Sequence, residues 1–409
     1  MYINIKIQKG ENNMKPSKDI IELAFKRHNA ICPYLNTIYV NVPKNNDNLS
    51  MVEAIVECVH QTKEDVLFIA TTELVYTQFC LAGIDTVYLY DIVKYNQDTN
   101  KLYIDKMIDS SHSIIVLQSS DNMTTELLND ITKNVHHTSS VFLLYDSLYI
   151  KHYLGNEIAK TIWLYNNYEI AKTDRDKNNT ELDIYNLRND IRKKSFRLRE
   201  FIDEKVSKPP HIYITHGKYL DLENYLNINI PIITPHRSLM IELNNQIRRQ
   251  LNLDDNTDCV PKVGEILALY KPAVAKDIYS DKEFVLPLGY RFKIQDIERQ
   301  NIVNSMNEPI SEYLTVTFEH TDVTTGEIYT VKLNISLSYI EYLSLGYNTF
   351  PDVCNLALAY YGYVLGYWML SDHTFNEAMV IYNSELSDNK NELYSCLCPI
   401  YKTVHFVFL

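Results

Sequence analysis

The chain has 409 residues, of which 46% are hydrophobic and 22% charged, and its formal net charge is −13. This length exceeds what a single hydrophobic core usually supports, so we expect two or three domains. The acidic excess excludes strong nucleic-acid binding over the whole surface, and the absence of any run of about 18 apolar residues excludes a membrane-spanning helix.

Short apolar runs alternate with turn residues and amphipathic stretches in the first half of the chain. Such an alternation is typical of βαβ units with a parallel sheet covered on both faces. A helix is expected around 123–134, and a second begins at Ser50, whose hydroxyl and Glu53 form a capping box. The predicted strands are 37–42, 65–70, 86–90, 113–117 and 140–145.

The pattern restarts after Lys208-Pro209-Pro210, a segment that cannot continue a helix and serves as a predicted domain boundary. Strands are expected at 211–215, 231–234, 378–382 and 404–409, and a helix at 238–252 with an apolar stripe from Leu239 to Leu251. Between them the sequence is rich in β-branched and turn residues, and 313–319 with 328–335 predict a hairpin. The predicted domains are 1–207, then 208–262 with 344–409, with 263–343 as a β-rich insertion.

Several segments are similar in sequence to the superfamily 1 DNA helicases of the RecD and Dda type. Residues 113–123 and 141–150 resemble the paired strands that carry the Walker B and sensor motifs. In 232–252, Thr234, Asn244 and Arg248 occupy positions typical of the family, and 263–271, 289–298, 359–382 and 393–409 resemble the segments that follow. The resemblance implies an α/β fold with two RecA-like domains of the P-loop NTPase type and a small SH3-like insertion in the second.

The segment that corresponds to the phosphate-binding loop does not fit its function. Such a loop needs glycines for its tight turns, a Lys for the phosphates and a Ser or Thr for magnesium. Residues 43–50 contain no glycine, Lys44 comes too early, and Ser50 is better explained as a helix cap. We therefore predict that this loop does not bind nucleotide.

The other catalytic positions that the resemblance implies are also altered. The Walker B carboxylates would fall at Leu117 and Gln118, and neither side chain can hold magnesium. The sensor segment keeps Asp146 but has Tyr149 where the family uses Gln. The arginines that stabilise transition-state charge would fall near Arg175 and at Pro399. No catalytic residue, metal or cofactor is therefore predicted.

Two surfaces could replace the lost chemistry with binding. The first is a cationic run from Arg188 to Arg199, for which a solvated helix face is the competing interpretation. The second is the aromatic run 359–370, which could fill a core or a former ATP cleft, contact a partner protein, or stack on bases. The predicted nucleic-acid or partner contacts are Arg192, Lys193, Lys194, Arg197, Thr234, Arg248, Tyr363 and Trp368.

The sequence thus predicts a catalytically inactive, helicase-like protein that is an accessory or architectural subunit of a DNA replication, recombination or transcription complex. Its partners would be other proteins of that complex and, weakly, single-stranded DNA. The alternatives are a single-stranded nucleic-acid-binding module and a divergent ATP-dependent helicase. The 32 tyrosines and many Asn and Ile residues indicate an AT-rich, viral or phage genome. Without an apolar signal segment, a cytoplasmic location is expected.

Overall fold

The structure is a computed structural model that describes residues 37–41, 65–96, 98–108, 111–112, 114–118, 123–135, 140–145, 184, 187–188, 190–191, 212–216, 230–251, 253, 259–303, 309–345, 356–370, 372–383 and 389–409. Its contacts divide the chain into two compact units. The first comprises Met1–Val93 and Tyr103–Leu182, and the second Lys94–Leu102 and Asp183–Leu409. The predicted boundary at residues 208–210 lies outside the described residues and remains a prediction.

The first unit contains a five-stranded parallel sheet, with the strands in the order β1-β7-β6-β2-β3. Every residue of β2 is buried, which explains why this strand is continuously apolar in sequence. Thr72 caps the first helix by accepting a hydrogen bond from the Val75 amide at 3.4 Å. The elements are β1 (Thr37–Asn41), β2 (Val66–Ala70), α1 (Glu73–Leu81), β3 (Asp85–Tyr88), α2 (Leu89–Ile92), β6 (Ile114–Gln118), α3 (Thr125–Lys133) and β7 (Ser140–Tyr145). The small hairpin strands β4 (Lys94–Asn96) and β5 (Lys101–Tyr103) come between α2 and β6 in sequence, but residues Lys94–Leu102 belong to the second unit.

The second unit contains another five-stranded parallel sheet, in the order β18-β9-β19-β20-β8. The two parallel sheets confirm the predicted α/β fold class. Helix α4 packs its buried residues Leu239, Leu243 and Ile247 against this unit. The elements are β8 (Ile212–His216), β9 (Ile232–Thr234), α4 (Arg237–Gln250), β18 (Val364–Gly366), a 3₁₀ turn (Tyr367–Met369), β19 (Phe375–Tyr382), α6 (Lys390–Leu397) and β20 (Ile400–Phe408).

The predicted β-rich insertion is also present in the second unit. It consists of a three-stranded antiparallel sheet, β13-β10-β17, and a five-stranded antiparallel sheet, β12-β11-β16-β15-β14. Its elements are β10 (Ile266–Leu269), β11 (Ala273–Asp277), β12 (Glu283–Leu286), β13 (Arg291–Lys293), β14 (Asp296–Val303), β15 (Pro309–Thr321), β16 (Ile328–Ser336), α5 (Leu337–Ser344) and β17 (Ala359–Tyr361). None of the helices in the described part of the chain is long and apolar enough to cross a membrane.

The structure differs from the predicted elements at three places. The strand predicted at 86–90 ends at Tyr88, because the apolar residues Leu89 and Tyr90 are buried from a short helix instead. Helix α4 ends at Gln250, which leaves Leu251 exposed rather than in the apolar stripe. Strand β17 pairs with β10, so the insertion sheet recruits a strand from beyond the predicted limit at residue 343.

Candidate functional site

The strand order of the first sheet brings the carboxyl ends of three strands to one edge, and the sequence-predicted motifs lie in or directly after these strands in sequence. Strand β7 lies between β1 and β6, and all three are parallel, so their carboxyl ends are neighbours. Asn41 pairs with Tyr145, and Gln118 pairs with Leu144. The carboxyl edge of a parallel sheet is where open α/β proteins bind ligands. This edge is therefore the candidate nucleotide site, and we call it the first-sheet edge.

Among the described residues, those that end the strands at the first-sheet edge carry none of the groups that hold a metal–nucleotide complex. Leu117 is fully buried and lies between Leu143 on β7 and Ile69 on β2, so the position predicted for an acidic ligand belongs to the apolar core. Gln118 ends β6 with an amide, which carries no negative charge for magnesium. Lys44, Ser50, Asp146, Tyr149 and Arg175 lie outside the described residues, so their predicted positions in this site remain predictions.

Pro399, the position predicted for a second catalytic arginine, has a structural role. It is buried in the turn between α6 and β20. Its carbonyl oxygen accepts a hydrogen bond from the Phe375 amide at 2.7 Å, which ties this turn to the start of β19. The residue supplies backbone geometry, and its side chain has no charge to offer a phosphate.

Arg248 was predicted as a nucleic-acid or partner contact, and the structure corrects this. It is 2% exposed, and its Nε lies 2.7 Å from Oε1 of the fully buried Glu265. Its Nη2 donates to the carbonyl of Val260 at 3.2 Å, and its guanidinium lies 4.0 Å from the centre of the Tyr361 ring. The guanidinium is thus enclosed by the second unit and is unavailable to an external phosphate.

Thr234, a predicted contact, and Arg188, the first residue of the cationic run, also lie inside the second unit. Thr234 is fully buried, and its hydroxyl accepts a hydrogen bond from the His236 amide at 3.3 Å. Arg188, the first member of the predicted cationic run, is 1% exposed and donates to the Cys398 carbonyl at 3.3 Å. Neither interpretation of that run, a solvated face or a binding strip, holds for Arg188. Arg192, Lys193, Lys194 and Arg197 lie outside the described residues and remain predicted contacts.

The aromatic run 359–370 supplies both core and boundary side chains. Tyr360 and Tyr361 are buried, and burial raises the pKa of Tyr360 to about 12. Tyr363 and Trp368 are half-buried. Burial raises the pKa of the Tyr363 phenol well above its ordinary value, and a hydrogen bond to Glu265 adds to the effect. Core filling is thus the role of Tyr360 and Tyr361, while contacts through Tyr363 and Trp368 remain predictions.

Asn244 is the polar residue that positions β18. Its Oδ1 accepts hydrogen bonds from the amides of Tyr363 and Val364 at 3.1 and 3.0 Å, and its Nδ2 donates to the Val364 carbonyl at 2.9 Å. The side chain is fully buried. The side chain of this helix residue makes the hydrogen bonds that a neighbouring strand would make to β18, the edge strand of the second sheet. Asn244, at a family-typical position, therefore fixes this strand and does not contact a ligand.

A groove of about 780 Å³ in the second unit was not predicted from the sequence. Its lining comes from the β4–β5 hairpin, from strands β11 and β16, and from residues 356–358. Three lysines contribute to it, Lys271, Lys276 and Lys332, and Lys276 is the register partner of Lys332. We call it the lysine groove. The register of strands that are distant in sequence creates it, so no local motif indicates it.

A buried histidine makes the insertion sensitive to acid. His320 is 9% exposed, its Nδ1 lies 2.8 Å from the Tyr290 hydroxyl, and burial lowers its pKa from 6.5 to about 4. Because the folded pKa is below the unfolded one, the unfolded chain takes up the proton first. The stability that the neutral ring provides is present above about pH 6.5 and is lost as the pH falls towards 4.

We expect a loss of up to about 3 kcal/mol in the free energy of unfolding from this group between pH 6.5 and 4. The check is chemical denaturation at a series of pH values for the wild type and for His320→Phe. The variant should show a smaller decrease over this window. An unchanged pH dependence in the variant would assign the acid sensitivity to other groups.

Comparison with solved structures finds low-identity similarity to Pif1 helicases. The chain is 10% identical to the Pif1 helicase from Candida albicans, with 97% of this chain and 95% of that chain covered and a TM-score of 0.39. It is 10% identical to Bacteroides Pif1 in complex with ADP-AlF3 and ssDNA, with 96% of this chain and 92% of that chain covered and a TM-score of 0.39. It is 11% identical to Bacteroides Pif1 bound to ssDNA, with 96% of this chain and 92% of that chain covered and a TM-score of 0.38. No protein-family profile and no curated protein matches the chain.

Proposed function

We propose that this chain is a helicase-like protein that has lost ATP hydrolysis and acts by binding, as an accessory or architectural subunit of a DNA replication, recombination or transcription complex. Its composition suggests a viral or phage source. The observation that supports the proposal is the first-sheet edge, where three parallel strands end side by side at Asn41, Tyr145 and Gln118 and where Leu117, the position predicted for an acidic ligand, is buried in the apolar core. The TM-scores are below 0.5, so the proposal rests on the residues and strand order of this chain.

Two features of the first-sheet edge and one feature of the second unit support the loss of hydrolysis. Leu117 faces the apolar core where a carboxylate would have to reach magnesium, and its neighbours Ile69 and Leu143 are buried and apolar as well. The segment after β1 has no glycine to let backbone amides wrap around phosphates. Pro399 replaces a cation with a buried turn residue. Phosphoryl transfer depends on charge placed around the phosphates, so these changes act together.

A fold kept for its shape accounts for the structural use of the remaining polar residues. Arg248, Glu265 and Asn244 are buried and satisfied by one another or by the backbone, and they hold the second sheet and the insertion together. Such a scaffold presents a rigid surface at low entropic cost to a partner. We infer that protein contacts are the main interactions of the chain.

The proposal is tested by measuring phosphate release from ATP by the full chain, with magnesium, in the presence and absence of single-stranded DNA. We expect no release above background. The matched control is Asp146→Asn, because this carboxylate is the one sensor group that the chain keeps. Release that depends on DNA and falls in Asp146→Asn would overturn the proposal and make the chain a divergent helicase. Release that is equal in both proteins comes from a contaminant and leaves inactivity as the result.

A further inference from the structure

Strand β14 is an exposed edge of the five-stranded antiparallel sheet in the insertion. Of the strands that the structure describes, only β15 pairs with it, along the whole of Asp296–Val303. Five of its eight residues are exposed, and the other three are half-buried. Every other edge strand in the described part of the chain has five residues or fewer. A long, exposed edge strand offers a row of backbone N–H and C=O groups to which a further strand can add.

The hydrogen-bond pattern of the sheet fixes which backbone groups of β14 point outwards. The Asp322 amide donates to the Glu327 carbonyl at 2.9 Å, so the even-numbered residues of β15 direct their backbone groups towards β16. Because this direction alternates along a strand, the odd-numbered residues of β15 face β14. Their register partners on β14 are even-numbered. The backbone N–H and C=O groups of Ile297 and Asn301, which are odd-numbered, therefore point away from the sheet.

The sequence of β14 lacks the features that usually keep an edge strand from pairing. Such strands are commonly short, contain proline or lysine, or are interrupted by a bulge. Residues 296–303 include neither proline nor lysine. The one bulge in the pairing with β15 lies at the end of the strand, between Ile302 and Val303. The opposite edge of the same sheet, β12, has only four residues and is followed directly by Pro287.

Strand β14 is complementary to a second copy of itself. In a two-fold antiparallel pair, outward-facing residues must meet outward-facing residues, so the axis passes through a residue and not between two. An axis at Glu298 or Arg299 would place like charges directly opposite each other, which is unfavourable. An axis at Gln300 avoids this and still overlaps residues 297–303. The opposed pairs are then Ile297 with Val303, Glu298 with Ile302, and Arg299 with Asn301.

The charge of Arg299 does not oppose this arrangement. Its guanidinium pairs with Glu312 on β15 of the same chain, so the cation is compensated before a second copy approaches. The pairing of Ile297 with Val303, which is 48% exposed, occurs twice because of the two-fold axis and removes apolar surface from water. The register at Gln300 therefore combines backbone hydrogen bonds with apolar contacts and has no like charges directly opposed.

We propose that β14 is a homodimer interface. Two chains pair their β14 strands antiparallel about a two-fold axis at Gln300, and this joins their insertion sheets into one continuous sheet. An extended segment of a different protein could use the same backbone groups, but the match of β14 with its own sequence favours a second copy. The inference concerns the assembly of the chain, so it goes beyond the proposed function and is independent of the loss of ATP hydrolysis.

The first test is sedimentation equilibrium of the full chain at about 1–100 µM and about 150 mM salt, where repulsion between charges more than about 8 Å apart is screened. We expect the mass to rise with concentration towards that of two chains. Asn301→Pro removes an outward N–H and places a ring on the free edge, a position where proline is compatible with a strand. It should raise the dimer dissociation constant about tenfold or more, because the symmetry applies the change twice.

Val285→Pro is the matched control on the opposite edge. The Asp277 amide donates to the Lys282 carbonyl at 2.8 Å, so odd-numbered residues of β12, such as Val285, direct their backbone groups away from β11. This control should dimerise within about twofold of the wild type, and thermal unfolding checks the fold of both variants. A wild type that keeps the mass of one chain throughout, or equal weakening in both variants, would overturn the proposal.

A cysteine at the axis tests the register without changing the backbone. In the proposed dimer Gln300 faces its own copy, at a Cβ separation of about 4.5–5.5 Å that is close to what a disulfide needs. Under mild oxidation, Gln300→Cys should yield more cross-linked dimer than the wild type, whose native cysteines include the exposed Cys80. Glu298→Cys, which faces Ile302 of the other copy, is the control and should stay at the wild-type level. Equal cross-linking in both variants, or none in either, would overturn the β14 interface.

Discussion

Arg248→Ala is expected to lower the free energy of unfolding by about 3–5 kcal/mol. The substitution removes the cation from a pair that the protein interior encloses, and Glu265 is fully buried. The carboxylate would then keep two neutral donors, the Lys262 amide, which donates to its Oε2 at 2.6 Å, and the Tyr363 hydroxyl, but no cation. An uncompensated buried charge is costly because neither water nor a counter-ion reaches it. The loss of the ring contact with Tyr361 adds to the effect.

Arg299→Ala is the matched control for this prediction. Arg299 pairs with Glu312 on the surface of the insertion, where both side chains are about half exposed. Exposed pairs contribute about 0–1 kcal/mol, so the control should remain close to the wild type. Chemical denaturation measures both variants. A loss below about 1 kcal/mol in Arg248→Ala would mean that the second unit opens easily around this pair. It would restore the prediction that Arg248 contacts nucleic acid or a partner protein.

Gly289→Ala is expected to lower the free energy of unfolding by about 3 kcal/mol or more. Gly289 has a φ of +78°, and a Cβ there would lie 1.9 Å from the carbonyl oxygen of Met369. At this contact the turn before β13 meets the 3₁₀ turn that follows β18 in the parallel sheet of the second unit. The neighbouring His373 Nε2 lies 3.0 Å from the Leu288 carbonyl and fixes the same contact. The added methyl group therefore pushes the insertion away from the sheet.

Gly326→Ala separates the steric effect from the backbone effect. Gly326 has a similar φ of +73°, but nothing lies within 4 Å of a Cβ at that position. The control should cost about 1 kcal/mol, which is the penalty of a left-handed conformation alone. Thermal or chemical unfolding of both variants is the measurement. Equal losses in the two variants would contradict the close approach at Gly289.

The parallel sheets were predictable because their central strands are buried on both faces. Residues 66–70 and 114–117 are apolar throughout, and β2 and β6 lie in the middle of the first sheet, flanked by β3 and β7. Strand order was harder to predict, since pairing between parallel strands depends on contacts far apart in the chain. The recruitment of β17 into the insertion sheet depends on such a contact, between Leu269 and Ala359.

Two buried polar residues, Thr234 and Arg248, were predicted from the sequence as nucleic-acid or partner contacts. Asn244 and Arg248 were interpreted by family position, yet with Met240 they follow a spacing of four along α4, beside the apolar stripe. That spacing places all three on one buried side of the helix. The spacing in the sequence therefore indicated that these residues are buried. That Glu265 is the partner of Arg248 depends on how the insertion packs against α4, which the local sequence does not show. The lysine groove depends on strand register in the same way.

The most direct test of the central claim is thermal unfolding of the full chain with and without about 1 mM magnesium-ATP. If the nucleotide bound the first-sheet edge with a Kd about a hundredfold below this concentration, it would stabilise the fold by about 2.7 kcal/mol. That corresponds to an increase of roughly 5–10 °C in Tm. We predict no change in Tm. An increase that requires magnesium and disappears in Asp146→Asn would contradict the account and show that the edge still holds a metal–nucleotide complex.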